Sequence, residues 1–149
     1  MDAKEFLSRA YLLDLQIQTK MQQIEMLRAF ASRVSSGIRK DVVKHDRSQN
    51  RMEDTVLKIM EEEEELNRKI DELVDSKRDI REVIDQVENV RQRVILEKRY
   101  LLFQDWIVIA IDLNITRRWM DINHGQALRL VQRILDEREK GECAGDYTE

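Results

Sequence analysis

From Met52 to Val94 the residues Met52, Val56, Ile59, Glu63, Leu66, Ile70, Leu73, Lys77, Ile80, Ile84, Val87, Arg91 and Val94 recur four and three apart without a slip. That spacing draws one stripe along an α-helix and calls for a facing helix. It does not fit a strand, whose faces alternate every second residue. With Ile59 and Leu66 as d positions every d is apolar, whereas the a positions alternate between aliphatic Val56, Ile70 and Ile84 and charged Glu63, Lys77 and Arg91. A charge at a lowers stability but sets register and partner choice. Upstream, Phe6, Ala10, Leu13, Ile17, Ile24, Leu27, Ala31 and Val34 keep the same spacing, with Lys20 filling one slot.

Two helices are predicted, over residues 3–35 and 51–88. At 1.5 Å per residue they span about 50 Å and about 55 Å, so an antiparallel hairpin matches in length. Its turn is expected between Ser35-Ser36-Gly37 and Asn50. The heptads do not decide whether each stripe faces its own chain or another subunit. Neither stripe is wide, so a dimer or larger bundle is expected. The five glutamates from Glu61 to Glu65 spread around a helix and read as a solvated face rather than a metal site. Arg39, Lys40, Lys44, His45, Arg47 and Arg51 make a weak basic cluster in the link, read as a mobile solvated loop in preference to a nonspecific phosphate contact.

Beyond Val94 the pattern changes. Trp106, Ile109, Ala110 and Leu113 fall at i, i+3, i+4 and i+7, one apolar face of a short helix. Asn114 suits the left-handed position that often ends a helix, and Thr116 is placed to cap the next one through its hydroxyl. Met120, Ala127, Leu128, Val131 and Leu135 then continue an inward stripe. On this reading Arg117, Arg118, Asp121 and His124 stand outward near the start of the second helix. Taken alone, Trp106 to Ile111 also reads as a buried strand; Asp105 and the turn that follows favour the helix. Ile107, Val108 and Ile111 lie off the core stripe and leave that helix a greasy outer face.

The run from Val94 to Leu128 resembles region four of bacterial sigma factors in its Tyr100, Trp106, Ile109-Ala110, Asn114, Thr116-Arg117 and Ala127-Leu128. Nearly the whole chain is similar to small sigma-region-four-like proteins of phages and prophages of Gram-positive bacteria. Met1-Asp2-Ala3-Lys4-Glu5, Ile70 to Val74-Asp75, Leu96 to Tyr100 and His124-Gly125 suit that pattern. The resemblance implies regulation of phage transcription, with double-stranded DNA as partner and RNA polymerase as a second one. Trp119, Asp121 and Ile122 depart from the family by standing where polar or basic residues usually face the groove, and Asn123 stands where an aliphatic core residue is usual.

Composition agrees with long helices: no proline, four glycines and 38% charged residues. The net charge of -4, taken over the whole chain, opposes a nucleic-acid partner. It is unevenly divided, however. Arg91, Arg93, Lys98, Arg99, Arg117, Arg118, Arg129 and Arg133 outnumber Glu97, Asp105, Asp112 and Asp121, giving residues 91–135 a net charge of +4. One cysteine, Cys143, excludes an internal disulfide and fits a reducing compartment. With no apolar run of transmembrane length and no signal peptide, the expected location is the cytoplasm of the bacterial host. His45 and His124 have no zinc-site partners at the usual spacing, and no nucleophile motif or phosphate-cradling loop is present. No enzyme activity, metal or cofactor is therefore expected.

These readings define an all-α chain in three parts: a helical hairpin or coiled coil for oligomerisation over residues 1–89, a helix-turn-helix over 90–139, and a flexible tail over 140–149. Arg93, Arg99 and Thr116 are expected at phosphates, and Arg117, Arg118 and Asp121 at base edges. Ile107 and Ile111 are expected at polymerase or between subunits. Trp119 suits either a thymine methyl or a protein surface. His124 is expected at the surface or in helix packing, with Gly125 admitting a neighbouring helix. The rival reading is an interaction scaffold whose degenerate helix-turn-helix binds protein instead of DNA.

Overall fold

The computed structural model describes residues 1–38 and 45–145. Among these the chain is all-α: α1 (Ala3–Ile38), α2 (His45–Ile84), α3 (Val90–Leu96), a π-helical segment (Glu97–Leu101), α4 (Trp106–Leu113) and α5 (Arg117–Gly145). None of these helices is long and apolar enough to cross a membrane. The expected turn begins later than Ser35-Ser36-Gly37, since α1 continues through them to Ile38. The basic link at 39–44 lies outside the described residues, as do the side chains of His45 and Arg47.

Contacts divide the chain into two compact units, one of Met1–Leu12 with Val74–Glu149 and one of Leu13–Leu73. The second unit is a helix pair whose charges interlock. Lys20, the cation in an apolar slot of α1, bonds Glu62 at 2.6 Å and Glu65 at 2.9 Å. Hydrogen bonding to Glu62 and then Glu65 raises the Lys20 pKa above its ordinary value, and Lys20 in turn holds the Glu65 carboxyl below its own. Glu63 pairs with Arg28, and Lys69 donates to Gln16. The glutamate run is thus not simply a solvated face, because three of its members bind cations on α1. The Gln16–Lys69 and Lys20–Glu65 pairs step in opposite directions along the two helices, as in antiparallel neighbours. Ile17 and Ile24 are the buried apolar side chains of this unit among the described residues.

The first unit carries most of the core. Ala3, Phe6, Leu7 and Ala10 of α1 and Ile80, Val83 and Ile84 of α2 are buried, as are Ile95, Leu96, Ile109, Met120, Ala127 and Val131. The expected boundary at residue 89 therefore does not coincide with the compact units. Both ends of residues 1–89 supply apolar side chains to the same unit as α3 to α5.

The start of α1 is tied to α5, with the Ala3 amide donating to Gln132 Oε1 at 2.7 Å and Gln132 Nε2 donating to the Met1 carbonyl at 3.1 Å. The first of these bonds satisfies an amide that a helix start leaves unpaired. The second long helix stops at Ile84, earlier than the expected 88, and Val87 is buried outside any helix. Asn89 then caps α3, its side chain accepting from the Gln92 amide at 3.2 Å. At the other end α5 runs into the expected flexible tail as far as Gly145, held near that end by Arg138, which bonds Asp79 at 2.9 Å. Residues 146–149 lie outside the description.

Gly125 does not admit a neighbouring helix, because a Cβ built there meets nothing within 4 Å. Gly125→Ala should therefore keep the packing and gain helix propensity. We expect it to stabilise the protein by about 0.5–1 kcal/mol, raising Tm by about 1–4 °C. A lowered Tm in a thermal melt would show that the position does face a neighbour.

Candidate nucleic-acid interface

The turn between α4 and α5 is built as its residues dictate. Asn114 adopts φ 52° and ψ 47°, the left-handed conformation in which Asn is tolerated. Its amide donates to the Ile111 carbonyl at 3.1 Å, and the Ile115 amide donates to the Ala110 carbonyl at 3.1 Å. Thr116 Oγ1 then accepts from the Trp119 amide at 3.2 Å and caps α5. Beneath the turn Ile95, Ile109 and Met120 form a buried cluster, with Trp106, Ala110, Leu113 and Ile115 packed against it. Asn123 is also buried, and its Nδ2 donates to the Trp119 carbonyl at 2.7 Å, which satisfies a polar group at a core position.

Arg117 and Arg118 follow the cap directly. Both are exposed, and among the described residues neither side chain makes a hydrogen bond or an ion pair. Thr116 and Asp121 are exposed beside them. Arg93 and Arg99 are placed differently from the expected phosphate contacts. Arg93 is half-buried and donates to the Glu88 carbonyl at 3.5 Å. Arg99, also half-buried, donates to the Gln104 carbonyl at 3.0 Å and lies 4.7 Å from the centre of the Trp106 ring. Such stacking on a ring face is favourable for a guanidinium, so these two cations are engaged within the chain.

Three predicted protein-contact residues are uncovered: Ile107 is 66% exposed, Ile111 72% and Trp119 58%. Ile107 and Ile111 line a cavity of about 510 Å³ between α4 and the start of α5, together with Arg117 and Met120. Ile107, Ile111 and Arg117 thus share one face of the turn.

His124 belongs to a cluster that spacing alone did not reveal. Its Nε2 lies 2.7 Å from the Tyr100 hydroxyl, and its ring meets Trp106 edge-on at 4.5 Å between centroids. Tyr100 and His124 are 24 positions apart in sequence. The only sequence signal is that His124 flanks the inward stripe through Met120 and Ala127. Burial, aided by the charges of Lys4 and Arg99, pushes the imidazole down to about 4, although Asp121 works the other way. Burial likewise raises the Tyr100 phenol to about 12, so both rings are uncharged at neutral pH.

A stability effect follows from the imidazole. Its folded pKa lies below the ordinary 6.5, so between the two values the unfolded chain binds the additional proton. The stabilisation is fully present above 6.5 and is lost as pH falls toward 4. Allowing for solvent screening of a ring that is not fully buried, the loss is about 1–2 kcal/mol. Urea unfolding at neutral and acid pH checks this: His124→Gln should lose less stability than the wild type over that window. Equal losses would refute the assignment.

Fold and site together define a helical protein that carries a capped two-helix turn followed by an exposed arginine pair. The chain belongs to the family described as a protein of unknown function, DUF1492, whose model matches residues 33–130. That span includes α2, α3, α4 and α5 as far as Leu130. No curated protein and no solved structure matches the chain.

Proposed function

We propose that this chain is a phage-type DNA-binding transcriptional regulator that reads a promoter or operator through α4 and α5, used as a sigma-region-four-like helix-turn-helix. The observation carrying this reading is the exposure of Arg117 and Arg118, without intramolecular partners among the described residues, on the first turn of a capped helix. A guanidinium there can donate to guanine O6 and N7 or clamp a phosphate, and the positive end of the helix dipole also favours phosphate. Asp121 offers an acceptor to cytosine N4. The positive excess of residues 91–135 supports the same partner.

In this reading α1 and α2 assemble a homo-oligomer that presents two or more recognition helices, and Ile107 and Ile111 dock on RNA polymerase. The proposed location is the bacterial cytoplasm. A second reading, an interaction scaffold, is favoured by Trp119 at 58% exposure and Ile122 at 42%, apolar side chains where a DNA reader usually carries polar ones. Selection from a random genomic fragment library at low and moderate salt separates the two. Enrichment of one sequence supports the regulator. Salt-sensitive binding without enrichment, or no binding, supports the scaffold.

A further inference from the structure

The first unit holds a cavity of about 280 Å³ beside Tyr100 and His124. This is at the small end of ligand pockets and offers space for a single ring with a short substituent. Its aromatic lining comes from four elements: Tyr11 of α1, Tyr100 of the π-helical segment, Phe103 of the loop before α4, and Trp106 at the start of α4. Tyr11 and Phe103 meet edge-on at 5.6 Å between centroids. The cations on its lining are Lys4 and Arg99, with Asp121 the one carboxylate among the described residues that line it. The positive charges prevail at His124, where Lys4 and Arg99 each oppose protonation more strongly than Asp121 favours it.

Two backbone features shape this cavity. Phe103 has φ 56°, an uncommon conformation for a bulky side chain. Strain of this kind concentrates at ligand clamps and active sites. Arg99 and Tyr100 lie in the π-helical segment, a local widening frequently found at functional sites. Asp121 and His124 are the only potential metal ligands on the lining, and no group of three or more such residues occurs among the described residues. The chemistry presented is instead aromatic side chains beside two cations, Lys4 and Arg99, and the single carboxylate Asp121 among the described lining residues.

From this combination we infer that the cavity binds a small aromatic carboxylate. The ring lies among Tyr11, Phe103 and Trp106, and the carboxylate meets Lys4 and the guanidinium nitrogens of Arg99 that do not bond the Gln104 carbonyl. The inference does not depend on DNA binding, since ligand occupancy is measured with the protein alone.

Benzoate is the probe, and the readout is fluorescence of Trp106 in the full-length Trp119→Phe protein, where it is the remaining tryptophan. A saturable change with benzoate is expected, with benzamide, the uncharged analogue, binding about tenfold more weakly, as expected for loss of a charge-assisted contact. Arg99→Gln should weaken benzoate binding by a similar factor, but Arg99 also packs on Trp106. Lys4→Gln supplies the independent test. Lys4 is exposed and makes no hydrogen bond or ion pair among the described residues, so its replacement should leave the fold unchanged while weakening benzoate severalfold. Absence of saturation, equal affinity for benzamide, or unchanged affinity in Lys4→Gln would each overturn the assignment.

Discussion

Ile109→Ala is expected to lower the unfolding free energy by about 2–5 kcal/mol, the range for truncating a fully buried aliphatic side chain. Ile109 has no exposed surface and sits between Ile95 and Met120. Its importance follows from the shortness of α4, which has eight residues and is too short to be stable by itself. The neighbouring Ile107, Val108 and Ile111 are exposed, so they contribute little to holding the helix down. Urea unfolding followed by circular dichroism measures the effect. Ile107→Ala is the control, expected to change stability by no more than about 0.5 kcal/mol. Equal losses in the two variants would show that α4 is anchored by something other than the Ile95–Ile109–Met120 cluster.

The double replacement Arg117→Ala, Arg118→Ala is expected to preserve the fold and weaken binding to a selected DNA site by about tenfold to several hundredfold. A good bidentate base contact is worth about 1–3 kcal/mol of discrimination. Where a side chain meets phosphate instead, its loss reduces the salt dependence of affinity by close to one counterion. Both side chains are exposed and outside any internal ion pair among the described residues, so their removal breaks no packing. Fluorescence anisotropy at several salt concentrations, with a thermal melt as folding control, distinguishes the two contributions. Unchanged affinity and unchanged salt slope in a folded double variant would remove the basis of the proposed function.

Much of this architecture was legible because it rests on short-range rules. Apolar spacing identified the helices, Asn114 identified the left-handed turn, and Thr116 identified the cap. The charged heptad slots were legible as anomalies whose partners emerged in three dimensions: Lys20 meets Glu62 and Glu65, Glu63 meets Arg28, and Lys77 lies 4.7 Å from the centre of the Phe103 ring. Periodicity did not place the end of α2, because Val87 keeps the heptad spacing while being buried from a non-helical backbone. Local pattern also left open which arginines remain free. Arg93 and Arg117 look alike in sequence, and only the surrounding carbonyls and rings separate an internally engaged cation from an available one. The cavity beside His124 was hidden for the same reason, as its walls come from α1, the π-helical segment, a loop, α4 and α5.

The slender interior of the Leu13–Leu73 helix pair has a consequence for how the molecule breathes. Backbone amide protons there are guarded mainly by helical hydrogen bonds, with Ile17 and Ile24 the buried aliphatic side chains of this pair among the described residues. Those protons should trade with heavy water through partial openings well below the global unfolding energy, while amides near Ile84, Ile95 and Val131 wait for complete unfolding. Association with a second copy through the helix pair would slow the faster class selectively, so deuterium uptake against protein concentration would register assembly at the residues that carry it.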